Sequence, residues 1–190
     1  MNADAVPFPF RSGVIAIDLT ATYAWHGRKQ GLDRLDTVEE LARWISESGL
    51  PLPEGDVTAR DVADVHRLRD AVYDVASVSA FGRPARQSSV DTLNAFAESA
   101  VGTARLFMTD ASFGARITVS FPDLLSSLAR ETIALLTGPH AHKIRECALP
   151  QCWVLFVDKS RSNNRRWCSV HCGQKVTAQN YRSRRKSAVA

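Results

Sequence analysis

A chain of 190 residues with 45% apolar and 23% charged side chains has the composition of a folded protein, long enough for one ordinary domain and a small appendage, and wholesale disorder is excluded. The net charge of +4 is unevenly spread: residues 1–139 hold 13 Lys/Arg against 18 Asp/Glu, and residues 140–190 hold 11 against 2. The longest apolar run, VIAIDLTATYAW, is broken by Asp18 and falls short of the ~20 residues that span a bilayer, so no membrane role is expected.

The opening stretch MNADAVPFPFRSG lacks the apolar block of a secretory signal, which points to the cytoplasm and to reduced thiols. VIAIDLT (14–20) reads equally as a short buried strand or as the start of a helix. DTVEELARWISESGLP predicts a helix with Asp36 and Glu39 as capping pair and Val38, Leu41, Ala42 and Ile45 as its apolar face, stopped by Gly49 and Pro51. Val62, Val65, Leu68, Val72 and Val75 predict a longer helix ending near Gly82 and Pro84. A shorter one starts at Ser88 or Ser89 and buries Val90, Leu93 and Ala97. TARLFM and ARITVSF alternate apolar residues about TDASFG, the pattern of a β-hairpin with Gly114 in its turn. A last helix follows, with Pro122 in its first turn and Gly138–Pro139 at its end.

This body shows no phosphate loop, nucleophile elbow or metal-spaced histidine pair. His66 fits a hydrogen-bonded helix residue better than a general base. Arg67, Arg69 and Asp70 read as a solvated, salt-bridged face rather than an anion site. Thr20, Tyr23, Trp25, His26 and Arg28 could line a pocket, although loop-packing aromatics explain them equally.

All four cysteines lie in the basic part, as C-x4-C (Cys147, Cys152), fifteen intervening residues, then C-x3-C (Cys168, Cys172). Two close pairs of thiols at this separation suit a tetrahedral site for one structural Zn²⁺, and four protein ligands leave no position for a catalytic water. Paired disulfides, an iron–sulfur cluster, or a ligand from His140, His142 or His171 fit less well. The spacer WVLFVD–KSRSNN–RRWC predicts a hairpin between the two pairs, and the proline-free stretch after it predicts a helix whose first turn carries Cys168 and Cys172 on one side. Trp153, Leu155, Phe156 and Trp167 are the expected core of this unit, which is too small to fold without its metal. The fold class is therefore α+β: a mainly helical N-terminal domain (1–139) with a small antiparallel hairpin, and a C-terminal treble-clef-like zinc finger (140–190).

The four thiolates and one Zn²⁺ still leave this tail at about +7. Interleaved amides (Asn163, Asn164, Gln174, Gln179, Asn180) accompany the cations, a combination suited to DNA. Arg161, Arg165, Arg166 and Lys175 are candidates for backbone or base contacts, and Arg182, Arg184 and Arg185 for phosphate contacts.

At these residues the sequence resembles the CGNR zinc finger, whose pattern runs from a cysteine pair through F-x-D-x-S-R and R-R-W-C to C-G-N-R. Here the same stretch reads FVDKSR, RRWC and CGQK. In such proteins the finger follows an ABATE domain, which residues 14–139 resemble more loosely through LARWISESGL and LRDAV. The resemblance implies a bacterial stress-induced transcription regulator with the finger as its DNA-binding element. It departs at Gln174 and Lys175, and at DLTAT from Asp18, where such proteins tend to show D-F-V-N-T. A DNA-binding regulator is the reading, with a small-molecule effector or dimerisation assigned to the N-terminal domain. One finger offers few specific contacts, so a homodimer is expected. The alternatives are an RNA-binding or protein-docking module, with Trp153 or Trp167 stacking on bases, or an enzymatic N-terminal domain.

Overall fold

The computed structural model describes residues 7–24, 31–100 and 102–187, with side chains to Arg184. VIAIDLT resolves as helix: α1 is Ile15–Thr20. Asp18 decides it, because its buried carboxylate accepts the Arg11 and Ser12 N–H groups at 2.8 Å and folds the preceding segment back over the helix. Glu131 accepts the Ala16 N–H at 2.8 Å, so an orphan donor at the start of α1 is satisfied from another helix. Strands β1 (Tyr23–Ala24) and β2 (Leu32–Asp33) pair antiparallel, Tyr23 opposite Asp33. Trp25, His26 and Arg28 lie outside the described residues.

Helix α2 (Val38–Ser48) is capped by Thr37, whose hydroxyl accepts the Glu40 N–H, and not by Asp36. The cap sits one residue later than the sequence pattern predicts because Thr37 takes the extended conformation a cap needs. Helix α3 (Ala59–Phe81) starts at a Thr58–Asp61 capping box. Gly49 and Gly82 end α2 and α3 at φ of 77° and 67°, a left-handed conformation that costs glycine nothing. Helix α4 is Gln87–Ala97, starting one or two residues earlier than expected, and α5 is Phe121–Thr137, opened by a Ser120–Asp123 capping box with Pro122 in its first turn.

Helix α3 is the axis of the body. It packs against α1, α2, α4 and α5, and is buried on more than one side, from Val62 and Val65 through Leu68, Arg69, Val72 and Val75. That explains a correction: Arg69 is 3% exposed and belongs to no solvated face, while Arg67 and Asp70 are exposed as expected. Its guanidinium reaches Asp33 with two bonds of 2.6 and 2.7 Å and lies 5.1 Å from the Tyr23 ring centre. His66 hydrogen-bonds the Leu35 carbonyl at 2.8 Å, the structural role expected of it, and its Nε2 also lies 3.4 Å from Asp33.

The hairpin of β3 (Thr103–Met108) and β4 (Phe113–Thr118) is present, but Gly114 is a strand residue opposite Phe107 and the turn is 109–112. Thr109 closes that turn, its N–H bonded to the Ser112 carbonyl at 2.8 Å and its hydroxyl accepting the Ser112 N–H. Gly114 is needed for the Phe107 ring, which would meet a β-carbon there at 2.3 Å.

The chain then enters the cysteine-bearing part through β5 (Ile144–Glu146), which pairs antiparallel with β6 (Leu155–Val157). The hairpin therefore brackets the first cysteine pair instead of lying between the two pairs. RRWC, expected as the return strand, is no strand but bonds the knuckle twice, Ala148 N–H to the Arg166 carbonyl at 2.8 Å and Cys168 N–H to Cys147 Sγ at 3.4 Å. Ile144, Leu155 and Val157 join the core of the helical body, whereas Phe156 faces the cysteines, so Leu155 leaves the finger core predicted for it. Helix α6 (Val170–Ser187) ends the described chain.

The Arg69–Asp33 pair yields the first prediction. Burial pushes the Asp33 carboxyl up, but the Arg69 hydrogen bonds and charge outweigh it and hold it below the usual range. Its contribution is therefore complete above the ordinary carboxylate pKa of about 4 and is lost as pH falls through the lower folded value. Asp33→Ala strands a buried guanidinium and should cost about 3 kcal/mol in urea unfolding at pH 7, with the difference from the parent shrinking in acid.

Candidate metal centre and nucleic-acid interface

The knuckle between β5 and β6 holds the first two thiols. Cys147 N–H bonds the Val154 carbonyl at 3.0 Å, and Cys152 N–H closes a tight turn on the Leu149 carbonyl at 2.8 Å. Ser169 caps α6, its hydroxyl accepting the Cys172 N–H at 3.2 Å. Cys172 is thus in the first turn, as expected, while Cys168 stands just ahead of the cap and not on the helix. The cap turns the chain sharply enough that both still reach one point.

The four sulfurs lie within 4.8 Å of one another, with Cys152–Cys168 at 3.7 Å and Cys168–Cys172 at 3.6 Å. A tetrahedron of Zn–S bonds sets its sulfurs about 3.8 Å apart, whereas a disulfide needs about 2.05 Å. Left to themselves the thiols frustrate one another. Hydrogen bonds from Cys152 and then Cys168 pull the Cys147 thiol down, and donation to Cys147 pushes Cys152 and Cys168 up. A divalent cation resolves this by making all four thiolate. The donor set and spacing fit one structural zinc, with Cys147, Cys168 and Cys172 buried and Cys152 half-buried.

The residues around the cysteines are fixed by the same site. Asp158, fully buried, accepts the Ser160 N–H and hydroxyl and the Arg165 N–H at 2.6–3.0 Å, with Arg145 at 3.5 Å. Burial raises its carboxyl, but these bonds win and hold it below the ordinary range. Arg165 is folded back onto the finger. Its Nε donates to the Trp167 carbonyl at 2.8 Å, a second nitrogen donates to the Cys168 carbonyl, and its guanidinium lies 4.8 Å from the Phe156 ring centre. Trp167 in turn lies over Gly173, where a β-carbon would come within 3.2 Å of the indole.

The other predicted nucleic-acid residues with described side chains are open to solvent. Arg161 is exposed on the turn after β6, and Arg166 is exposed with its guanidinium 5.4 Å from the Trp167 ring centre. Lys175, Arg182 and Arg184 are exposed on α6, and the Arg185 side chain lies outside the described residues. Lys175 and Arg182 share a shallow recess of about 540 Å³ with Gln151, His171, Gln174 and Gln179. Gln151 and His171 are the residues that sequence reasoning missed here. His171, Lys175 and Gln179 recur every fourth residue, a helical spacing that could have grouped them. Val170, Thr177 and Tyr181 lie along another stripe of α6 and, with Trp167, border an apolar recess of about 690 Å³.

Ala21, at the position where D-F-V-N-T has asparagine, is 1% exposed and packs in one cluster with Cys147, Cys168 and Cys172. Among the described residues no helix is long and apolar enough to cross a membrane. Two family models match the chain: ABATE, described as "Putative stress-induced transcription regulator", over residues 13–139, and the CGNR zinc finger over residues 143–185. No curated protein matches it.

Two outcomes are expected. Because β6 serves both cores, chelating the zinc should lower the melting temperature of the whole chain in one calorimetric transition; an unshifted transition for the body would show that the two cores melt independently. Asp158→Asn places an amide donor against hydrogen-bond donors and should cost about 1–3 kcal/mol in urea unfolding, with faster zinc loss to a colorimetric chelator.

Proposed function

Since the chain belongs to the ABATE family and carries a CGNR zinc finger, we propose that it is a DNA-binding transcription regulator which lays α6 against duplex DNA. The observation that carries this reading is the face of α6 with Lys175, Gln179 and Arg182, beside Gln151, His171 and Gln174. Cations there neutralise phosphates, and amides hydrogen-bond base edges or phosphate oxygens. Arg161, Arg166 and Arg184 widen the basic surface, and Arg165 supports it from within by holding the Trp167 and Cys168 carbonyls.

In this reading the metal is structural, the protein is no enzyme and it works in the cytoplasm, where thiols stay available to zinc. The helical body senses or pairs. A recess of about 340 Å³ between α3, α4 and α5, lined by Arg60, Asp64, Arg67, Phe96 and Phe121, is where a small effector would sit. Two copies would double the contacts that one finger provides.

A second reading rests on the apolar stripe of α6. Trp167, half-buried and beside Val170 and Tyr181, suits stacking on single-stranded RNA or docking on a protein.

The test is enrichment of the zinc-loaded protein on a random duplex library at about 0.15 M salt, where bare charge attraction is largely screened. A recovered motif, lost in Lys175→Glu/Arg182→Glu with zinc content unchanged, is the expected result. The variant should also flatten the salt dependence of residual binding by about 2 in log–log slope. Enrichment that survives the double reversal would reject this face, and preferential retention of single-stranded RNA would favour the second reading.

A further inference from the structure

The hairpin of β3 and β4 presents one wholly apolar face. Directly opposed residues share a face, which places Ala104 with Ile117, Leu106 with Ala115, and Met108 with Phe113. All six are apolar and exposed, Leu106 at 74%, Met108 at 79%, Phe113 at 70% and Ile117 at 57%. The other face carries Thr103 with Thr118, Arg105 with Arg116, and Phe107 over Gly114.

A two-stranded hairpin on its own is marginal in water, and six contiguous apolar residues in solvent make its isolation more costly. We propose that this face is a homodimer interface, on which the same face of a second copy packs. Three observations select that occupant. The first is area: at roughly 150–250 Å² for a large side chain, the exposed parts of Leu106, Met108, Phe113 and Ile117 come to on the order of 500 Å². Two such faces bury on the order of 1,000 Å² together, the threshold for a specific interface. The second is chemistry: the face offers no charge and no side-chain hydrogen-bond donor, so its complement is an equally flat apolar sheet face, and a two-fold axis supplies one. The third is charge. Arg105 and Arg116 are a like-charged pair directly opposite each other, tolerable only in water. Packing on the apolar face leaves both solvated, whereas packing on the other face would bury them.

This inference goes beyond the DNA-binding reading and needs no nucleic acid to test. Sedimentation velocity of the zinc-loaded full chain should give twice the 20.9 kDa of one chain. Leu106→Glu/Phe113→Glu should weaken the dimer on the order of 100-fold, to a monomer with unchanged circular dichroism and zinc content. Arg105→Glu, on the other face, should leave the dimer intact. A photo-reactive phenylalanine analogue at position 113 keeps the face apolar and should cross-link two chains. A parent chain that stays monomeric at about 100 µM overturns the proposal. So does a dimer indifferent to the double substitution. Binding of a monomeric parent to phosphatidylcholine–phosphatidylglycerol vesicles, lost in the double variant, would overturn it in favour of a lipid surface.

Discussion

Four sulfurs drawn to within 4.8 Å of one another are the constraint on which the C-terminal part, residues 140–190, is built. Thiols at that separation cannot all ionise without a cation, and they cannot all stay neutral without wasting the geometry. The zinc that resolves this joins a knuckle at Cys147–Cys152 to a helix start at Cys168–Cys172. A closure of this kind replaces the apolar core that so short a segment lacks. The rest of the segment makes the closure rigid: Asp158 gathers the turn after β6, Arg165 holds two carbonyls at the second cysteine pair, and Trp167 covers Gly173.

The same closure reaches the helical body along β6. Leu155 and Val157 point into the core around α3, while Phe156 between them points at the cysteines, and all three are essentially without solvent exposure. A strand alternates its side chains between two faces, so one three-residue strand can serve two cores at once. Ala21, at the end of α1, adds a second link, because α1 also buries Ile17 and Leu19 in the body. Contiguous packed elements of this kind are the physical means by which an event in the body can bias the finger. Where D-F-V-N-T has asparagine this chain has Ala21, so the position contributes apolar packing against the cysteine cluster and no polar side chain.

Where local chemistry sets the structure, the sequence was readable. The four ligands follow from spacing, and the ends of α3 and α5 follow from apolar period, Gly82, Pro122 and Gly138. Where a distant partner decides, it was not. Arg69 looks like one more surface cation until Asp33 arrives beside it from a two-residue strand. The segment 14–20 is ambiguous by period, and becomes helix through the bonds that Asp18 and Glu131 make outside it. Strand β5 has only three residues, too few for any periodic signal, so the sequence pattern pairs β6 forward when its partner lies behind it. Arg165 and Arg166 are identical neighbours in sequence. Only the carbonyls of Trp167 and Cys168 separate their roles, one turned inward and one exposed.

That last distinction bears on the CGNR pattern as a whole. In this chain Phe156, Asp158, Ser160, Arg165, Trp167, Cys168, Cys172 and Gly173 all act within the finger, as core, turn, strut, cover or ligand. The last two positions of the pattern, Gln174 and Lys175, instead stand exposed on α6. These are the positions where the chain departs from C-G-N-R. The departure therefore leaves the folding chemistry whole and alters only what the helix presents. A lysine offers a point charge in place of the planar fork of arginine, and so favours a phosphate over the paired acceptors of a guanine edge. If α6 is the contacting element, base discrimination in this protein falls to the amides Gln174 and Gln179, with Lys175 setting affinity more than sequence preference.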